Sequence, residues 1–204
     1  MGLYAEHILP HVIDFAMRYP EARARRAVVV PQARGRVLEL GIGSGLNLPF
    51  YGAVSALDAI DPSVRLLDMT EKKLAGIPFR VALHRASAEQ LPFESHTFDT
   101  VLTTWTLCSI PEVGQALKEV CRVLKPGGRL LFIEHGAAPD ESVRRWQQRI
   151  DPVWTRFAGG CHLDRPMDSL IGSAGLRVEG LLARYLEGPR FVTYTYEGSA
   201  VPLA

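Results

Sequence analysis

Apolar residues follow two rhythms in this chain. Short near-continuous runs, such as Arg36 to Gly41, 54–60 and Leu130 to Ile133, alternate with stretches whose apolar positions recur every three or four residues. The first rhythm is that of strands buried on both faces, and the second is that of helices covering them. Residues 5–19 read as an amphipathic helix with Ile8, Leu9, Val12, Ile13 and Ala16 on one face and Pro10 delaying or kinking it. Residues 21–30 read as a second short helix, followed by a strand from Arg36 to Gly41. A helix is expected from Leu46, interrupted by Pro49, and then a second strand over 54–60. Asp61-Pro62-Ser63 opens a helix through about Leu74, and strands follow at Phe79 to His84 and Phe98 to Thr104. Pro111 and Glu112 open a helix to Leu124, which Lys125-Pro126-Gly127-Gly128 stops before a fifth strand, Arg129 to Glu134.

The tail changes pattern. Residues 142–158 read as a helix interrupted by Pro152, with Trp146, Ile150, Val153, Trp154 and Phe157 at helical spacing. Such a stripe is either core or an apolar wall over a pocket. Two strands, Leu176 to Leu186 and Arg190 to Tyr196, are then separated only by Glu187-Gly188-Pro189. A link that short cannot cross to a parallel neighbour, so the pair is expected to be antiparallel. The predicted fold is a single α/β domain over 1–204: a Rossmann-like, doubly wound, mostly parallel sheet with a C-terminal antiparallel hairpin. Residues 1–35 form a helical lid segment and 36–204 the core.

Composition narrows the picture little. The 204 residues carry a net charge of +1, so nothing global attracts nucleic acid. Arg18, Arg23, Arg25, Arg26, Arg34 and Arg36 cluster with Glu21 as the one acid among them. They form either a solvated helical face or a contact for an anionic substrate or lipid surface. Cys108, Cys121 and Cys161 form no C-x-x-C pair, which points to a reducing, cytoplasmic setting. No signal peptide or membrane-spanning run is read.

The chemistry concentrates in Glu39-Leu-Gly41-Ile-Gly43-Ser44-Gly45-Leu-Asn47, where a strand runs into three alternate glycines. Glycine lets a ligand approach the backbone and permits angles other residues avoid. A helix beginning there would offer free N–H groups to an anionic ligand. The dinucleotide fingerprint G-x-G-x-x-G requires glycine where Leu46 stands, which argues against a nicotinamide-dependent oxidoreductase. Asp61 ends the second strand, where a carboxylate reaches a ribose diol, or else caps the following helix.

Glu-x-Gly-x-Gly-x-Gly resembles the first motif of class I S-adenosylmethionine-dependent methyltransferases, and Ala86-Ser87-Ala88-Glu89-Gln90-Leu91-Pro92-Phe93 resembles their adenine-binding turn, with Ser87 where aspartate is usual. Leu107-Cys108-Ser109, Glu134-His135, Trp146-Gln147-Gln148, Pro152-Val153-Trp154 and Gly160-Cys161-His162-Leu163 resemble the methyltransferase-like thiol S-methyltransferases and their bacterial relatives, over roughly residues 36–166. Animal members carry an N-terminal hydrophobic anchor, and none is read in these residues, so membrane attachment is not expected on that ground. The resemblance implies S-adenosylmethionine as cofactor, held by Glu39, Gly41, Gly43, Ser44, Gly45, Asn47, Asp61, Pro62, Ser87, Ala88, Glu89, Thr104 and Cys108. Cys108 is otherwise a plain core cysteine.

The acceptor implied is a small molecule, with thiol sulfur favoured over the amine of phosphatidylethanolamine or a quinone-pathway carbon. A protein that holds the cofactor without turnover is the alternative outside catalysis. His135, at the carboxyl end of the fifth strand, is the first candidate base, and His162 and Asp164 are the second. No metal is expected, because Cys161-His162 has no partner pair at ligand spacing. No nucleic-acid partner is expected, and peripheral membrane contact and oligomeric state stay open.

Overall fold

The computed structural model describes residues 4–203, so Met1 to Leu3 of the expected lid segment, and Ala204, lie outside the described residues. The chain forms one seven-stranded sheet in the order β3-β2-β1-β4-β5-β7-β6. Its strands are β1 (Gly35–Leu40), β2 (Val54–Ile60), β3 (Arg80–His84), β4 (Phe98–Thr104), β5 (Leu124–His135), β6 (Leu176–Tyr185) and β7 (Tyr194–Pro202). The first five are parallel, whereas β7 runs antiparallel to both β5 and β6.

Alternation along the strands splits the core into two layers. Leu38, Leu40, Val101, Leu130 and Phe132 face α4 (Val113–Val123) and α6 (Met167–Ser173). Val37, Leu57, Leu102, Leu131 and Ile133 face the other way, toward Val29 and Val30 at the end of α2 (Pro20–Val29). Helix α4 shows why its sequence is helical: Val113, Ala116, Leu117, Val120 and Val123 recur on one face, and all are buried. Truncating a fully buried residue such as Leu117 to Ala would cost about 2–5 kcal/mol.

Four expectations need correction. No α-helix follows Leu46. Residues 42–50 instead fold through i→i−3 turns and one short 3-10 turn, Leu48–Phe50, because Asn47 and Tyr51 both fold back to bond Glu39. The N-terminal helix is a single π turn, Tyr4–Ile8, running into α1 (Leu9–Ala16), with Pro10 tolerated in its first turn. Pro152 does not interrupt α5, which runs unbroken over Glu141–Phe157. The last strand begins only at Tyr194, after one helical turn, α7 (Arg190–Thr193), and continues to Pro202.

Candidate functional site

A cavity of about 270 Å³ opens at the carboxyl ends of β1, β2 and β4. This is the point where the strand order reverses, so the loops after β1 and β4 part and leave a crevice. Gly41, Gly43, Ser44, Asn47, Asp61, Pro62, Ser87, Ala88 and Thr104 all line it. Glu39, Gly45, Glu89 and Cys108 do not.

The glycines serve different ends. A side-chain carbon on Gly41 would lie 2.4 Å from Thr106 Cγ2, so Gly41 is demanded by internal packing. Gly43 has φ +58°, and a side-chain carbon there would meet nothing closer than the Gly41 carbonyl at 4.0 Å. Its bare face borders the cavity, which suits close approach of a ligand to the main chain.

Glu39 stands one layer behind. It is 1% exposed; Oε1 accepts from Asn47 Nδ2 at 2.8 Å and Oε2 from the Tyr51 hydroxyl at 2.7 Å. Burial raises its carboxyl to about 7, against the pull of those two bonds and of Arg26. Asn47 presents the network to the cavity. Its Oδ1 accepts from Arg26 Nε at 3.0 Å, while Nδ2 also donates to Thr104 Oγ1 at 3.0 Å. The Arg26 guanidinium lies 4.9 Å from the Trp105 ring centre, and burial lowers it to about 10. The cavity end near β1 therefore offers a fixed amide and a desolvated cation backed by a carboxyl group.

Asp61 is 5% exposed, with Oδ2 accepting from the Gly43 N–H at 3.0 Å and Oδ1 from the Ser63 N–H at 2.8 Å. Burial raises its carboxyl, and the two N–H groups oppose that. The cap of α3 (Val64–Glu71) is Ser63, whose Oγ accepts from Leu66 N. Asp61 is thus free of the capping role, and each oxygen keeps a lone pair for a diol. On the adjoining wall, the Ser87 hydroxyl donates to Glu89 Oε2 at 2.8 Å, and Glu89 Oε1 accepts from the Glu112 N–H at 2.8 Å. That pairing turns Glu89 toward the start of α4 and away from the cavity.

The loop after β4 forms the far wall. Trp105 sits at φ +51°, a strained state for a bulky residue. Glu134 holds the loop: fully buried, it accepts from Thr103 Oγ1 at 2.7 Å and from the N–H groups of Thr106 and Cys108 at 3.0 and 3.4 Å. Arg165 Nη1 adds bonds of 2.6 Å to the carbonyls of Leu107 and Ile110.

Helix α1 forms the roof, through Ile13, Asp14 and Met17. Asp14 accepts from the Ser44 hydroxyl and from Arg18 Nε at 3.0 Å, with Lys73 Nζ 3.7 Å away. Burial would raise the Asp14 carboxyl, but the bonds from Ser44 and Arg18 and the Lys73 charge carry it below its usual value. Asp14, Arg26 and Trp105 are site residues that sequence reasoning missed. Arg26 was visible only as one of six clustered arginines, and four of these pair with acids or enter the site: Arg18 with Asp14, Arg25 with Glu197, Arg36 with Asp58, and Arg26 itself.

The candidate bases lie outside the cavity lining. His135 is 6% exposed, with Cys161 Sγ 3.6 Å from Nδ1 and 3.7 Å from Nε2. Burial lowers its pKa, but Cys108, Glu134 and Asp151 raise it further, so the net shift is upward. Cys108 Sγ lies 3.4 Å from Cys161 Sγ, and that contact, together with burial, pushes the Cys108 thiol well above its usual value. His162 Nδ1 pairs with Asp151 Oδ2 at 2.8 Å, and Asp164 stands in the same small group. The α5 stripe is also placed differently from expectation. Trp146, Val153 and Phe157 are 60%, 58% and 63% exposed, so they neither pack in the core nor line the cavity. The residue that docks α5 is Gln147, fully buried between Ala138 N–H and the carbonyls of Gly136 and Phe191.

Residues 38–132 match the Methyltransferase domain family. The chain is 34% identical over 139 residues to thiol S-methyltransferase TMT1A of Homo sapiens, covering 66% of this chain and 57% of the human protein. It is 34% identical over 130 residues to phosphatidylethanolamine N-methyltransferase of Cereibacter sphaeroides, covering 62% and 64%. The chain thus spans less than two thirds of the length of these curated relatives. A SAM-dependent methyltransferase from Methanosarcina mazei shares the fold, with a TM-score of 0.66, 21% identity and coverage of 82% of this chain and 92% of the other. Strand order, glycine loop, paired acids and these likenesses agree: the chain belongs to the class I S-adenosylmethionine-dependent methyltransferases.

Proposed function

We propose that the protein transfers a methyl group from S-adenosylmethionine to a small-molecule acceptor, with a thiol sulfur as the favoured nucleophile. One observation carries the reading: Gly43, Asp61 and Asn47 converge on a single crevice, where Gly43 leaves its Cα side open and Asp61 keeps lone pairs free. Asp61 would receive the ribose hydroxyls, and Asn47 with Arg26 would face the amino-acid end. Ala88, through its N–H, and Ser87 would border the adenine. When bound, the cofactor supplies a methyl group on a sulfonium centre, and capture by an acceptor neutralises that charge. The chain's own part is to align the two reactants and shed water. Asp14 and its bond to Ser44 tie the roof to the glycine loop, so α1 would close the crevice as a lid.

A thiol suits a crevice whose candidate bases stand outside its lining. With a reference pKa of about 8.5, roughly 3% of a thiol is already thiolate at pH 7, so no resident base is indispensable. The likeness to thiol S-methyltransferases supports the same acceptor. A phospholipid amine is the second reading. It is favoured by exposed Ile8 at the end of the π turn, Val12 and Phe15 on α1, and Trp146, Val153 and Phe157 on α5. Mass detection of methylated products across thiols, phosphatidylethanolamine vesicles and demethylated quinones tests the choice. S-methylation of an alkyl thiol at the highest kcat/KM is expected. Methylation confined to vesicles would replace the thiol reading with the lipid one, and no product from any acceptor would leave a cofactor-holding protein.

A further inference from the structure

Folding gathers three soft donors from distant segments. Cys108 lies in the loop after β4, His135 ends β5, and Cys161 lies in the loop after α5. Their donor atoms all lie within 4.8 Å of one another. The sulfur–sulfur distance is 3.4 Å, and the two ring nitrogens stand 3.6 and 3.7 Å from Cys161 Sγ. A tetrahedral zinc ion with bonds of about 2.3 Å to sulfur and 2.0–2.1 Å to nitrogen separates its sulfurs by about 3.8 Å and sulfur from nitrogen by about 3.6 Å. The sulfur–sulfur and Cys161–His135 separations lie within a few tenths of an ångström of those values, and Cys108 and His135 stand within 4.8 Å of each other.

The His135 ring has a further peculiarity. Although it is buried, its side-chain contacts among the described residues are with the two thiols, Cys161 and Cys108. A buried imidazole ordinarily has a firm oxygen or nitrogen partner. Here it faces two thiols, a donor set that suits d10 cations. Cys161 is only partly buried, which gives an ion access from solvent. The cluster also touches the crevice: Ser109, which lines it, has its Oγ 3.7 Å from Cys108 Sγ.

We propose that Cys108, His135 and Cys161 bind one zinc-class cation beside the crevice and leave one coordination position for an external ligand. Three protein ligands with an open fourth position are the pattern of a zinc site that exchanges ligands rather than a closed structural one. Binding displaces two thiol protons, one from each cysteine, as the two S–H bonds give way to metal–sulfur bonds. The open position would accept the thiolate of the acceptor under the thiol reading above, but metal affinity itself is independent of that reading.

The experiment is titration of the reduced full-length protein with Co²⁺, followed by displacement with Zn²⁺. The expected result is a thiolate-to-cobalt charge-transfer band that saturates at one equivalent, with about two protons released per ion. Cys161→Ser and His135→Gln should each weaken binding at least 100-fold, while Cys121→Ser should leave it unchanged. Near-UV circular dichroism identifies any variant that fails to fold, and the remaining one then decides. The proposal is overturned by no charge-transfer band in the reduced wild-type protein, by a band that persists in both folded ligand variants, or by a Cys108–Cys161 disulfide forming in place of metal uptake. Loss of methyl transfer with intact metal binding would count against the preceding subsection and not against this one.

Discussion

Glu39→Gln separates what the buried carboxyl does for binding from what it does to stability. In the folded chain burial holds this carboxyl at about 7, against 4.5 for an ordinary glutamate. Between those values the unfolded chain has released a proton that the folded chain keeps. Wild-type stability therefore falls as pH rises through this window and levels off above it. The loss from this group reaches ~3 kcal/mol by pH 8, of which ~2.5 kcal/mol accrues between pH 5 and pH 8. Glutamine cannot ionise, and it fits the same neighbours. Its Oε1 accepts from Asn47, and its Nε2 donates to Tyr51 once that hydroxyl turns round. Apart from ionisation, the exchange costs about 1 kcal/mol, and that part does not vary with pH. Urea unfolding of both proteins without cofactor, followed by circular dichroism at pH 5 and pH 8, reads the difference. At an m-value of ~2.5 kcal/mol/M, the midpoint gap between variant and wild type should move by about 1 M in favour of the variant. Other titrating groups are common to both proteins and cancel. A gap that stays constant with pH would mean that Glu39 ionises like an exposed glutamate, and the reasoning would fail.

The two glycines that begin the loop should respond differently to alanine. Gly41→Ala forces a carbon against Thr106 and should cost about 2–4 kcal/mol in thermal or urea unfolding. Gly43→Ala, strained by roughly 1 kcal/mol but sterically free, should instead weaken S-adenosylhomocysteine binding at least tenfold. Asp14→Ala removes the partner of Ser44, Arg18 and Lys73, so amide exchange in α1 should accelerate and cofactor affinity should fall several-fold. Gln147→Ala leaves three backbone groups without this partner, two of them buried, and should cost about 2–3 kcal/mol, checked by urea unfolding.

Parts of this architecture are legible locally and others are not. The largely apolar, mostly buried runs placed β2 and β4 at their observed bounds and β1 and β3 within a residue of theirs. Strand β5 instead begins at Leu124, five residues before the expected Arg129, so that Lys125-Pro126-Gly127-Gly128 lies within the strand. The antiparallel tail followed from connection length alone. The end of β7 did not, because Glu197-Gly198-Ser199 has no strand-like rhythm. A side-chain carbon on Gly198 would strike the Gly180 carbonyl at 1.8 Å, a requirement set by the neighbouring strand. The helix expected after Leu46 failed for a related reason: Asn47 and Tyr51 are drawn back by an acid eight and twelve residues earlier. In the site, the glycine loop and Asp61 were readable because strand-to-loop junctions place them. Asp14, Arg26 and the Cys108–His135–Cys161 group depend on contacts between segments far apart in sequence, which no local spacing encodes.

Isothermal titration of S-adenosylhomocysteine into the wild type and Asp61→Ala, with NADH as the competing ligand, tests the assignment of the crevice most directly. The account predicts one site per chain for S-adenosylhomocysteine, at least 100-fold weaker in the variant, and no heat from NADH. Tight NADH binding, or S-adenosylhomocysteine affinity untouched by the loss of Asp61, would contradict it.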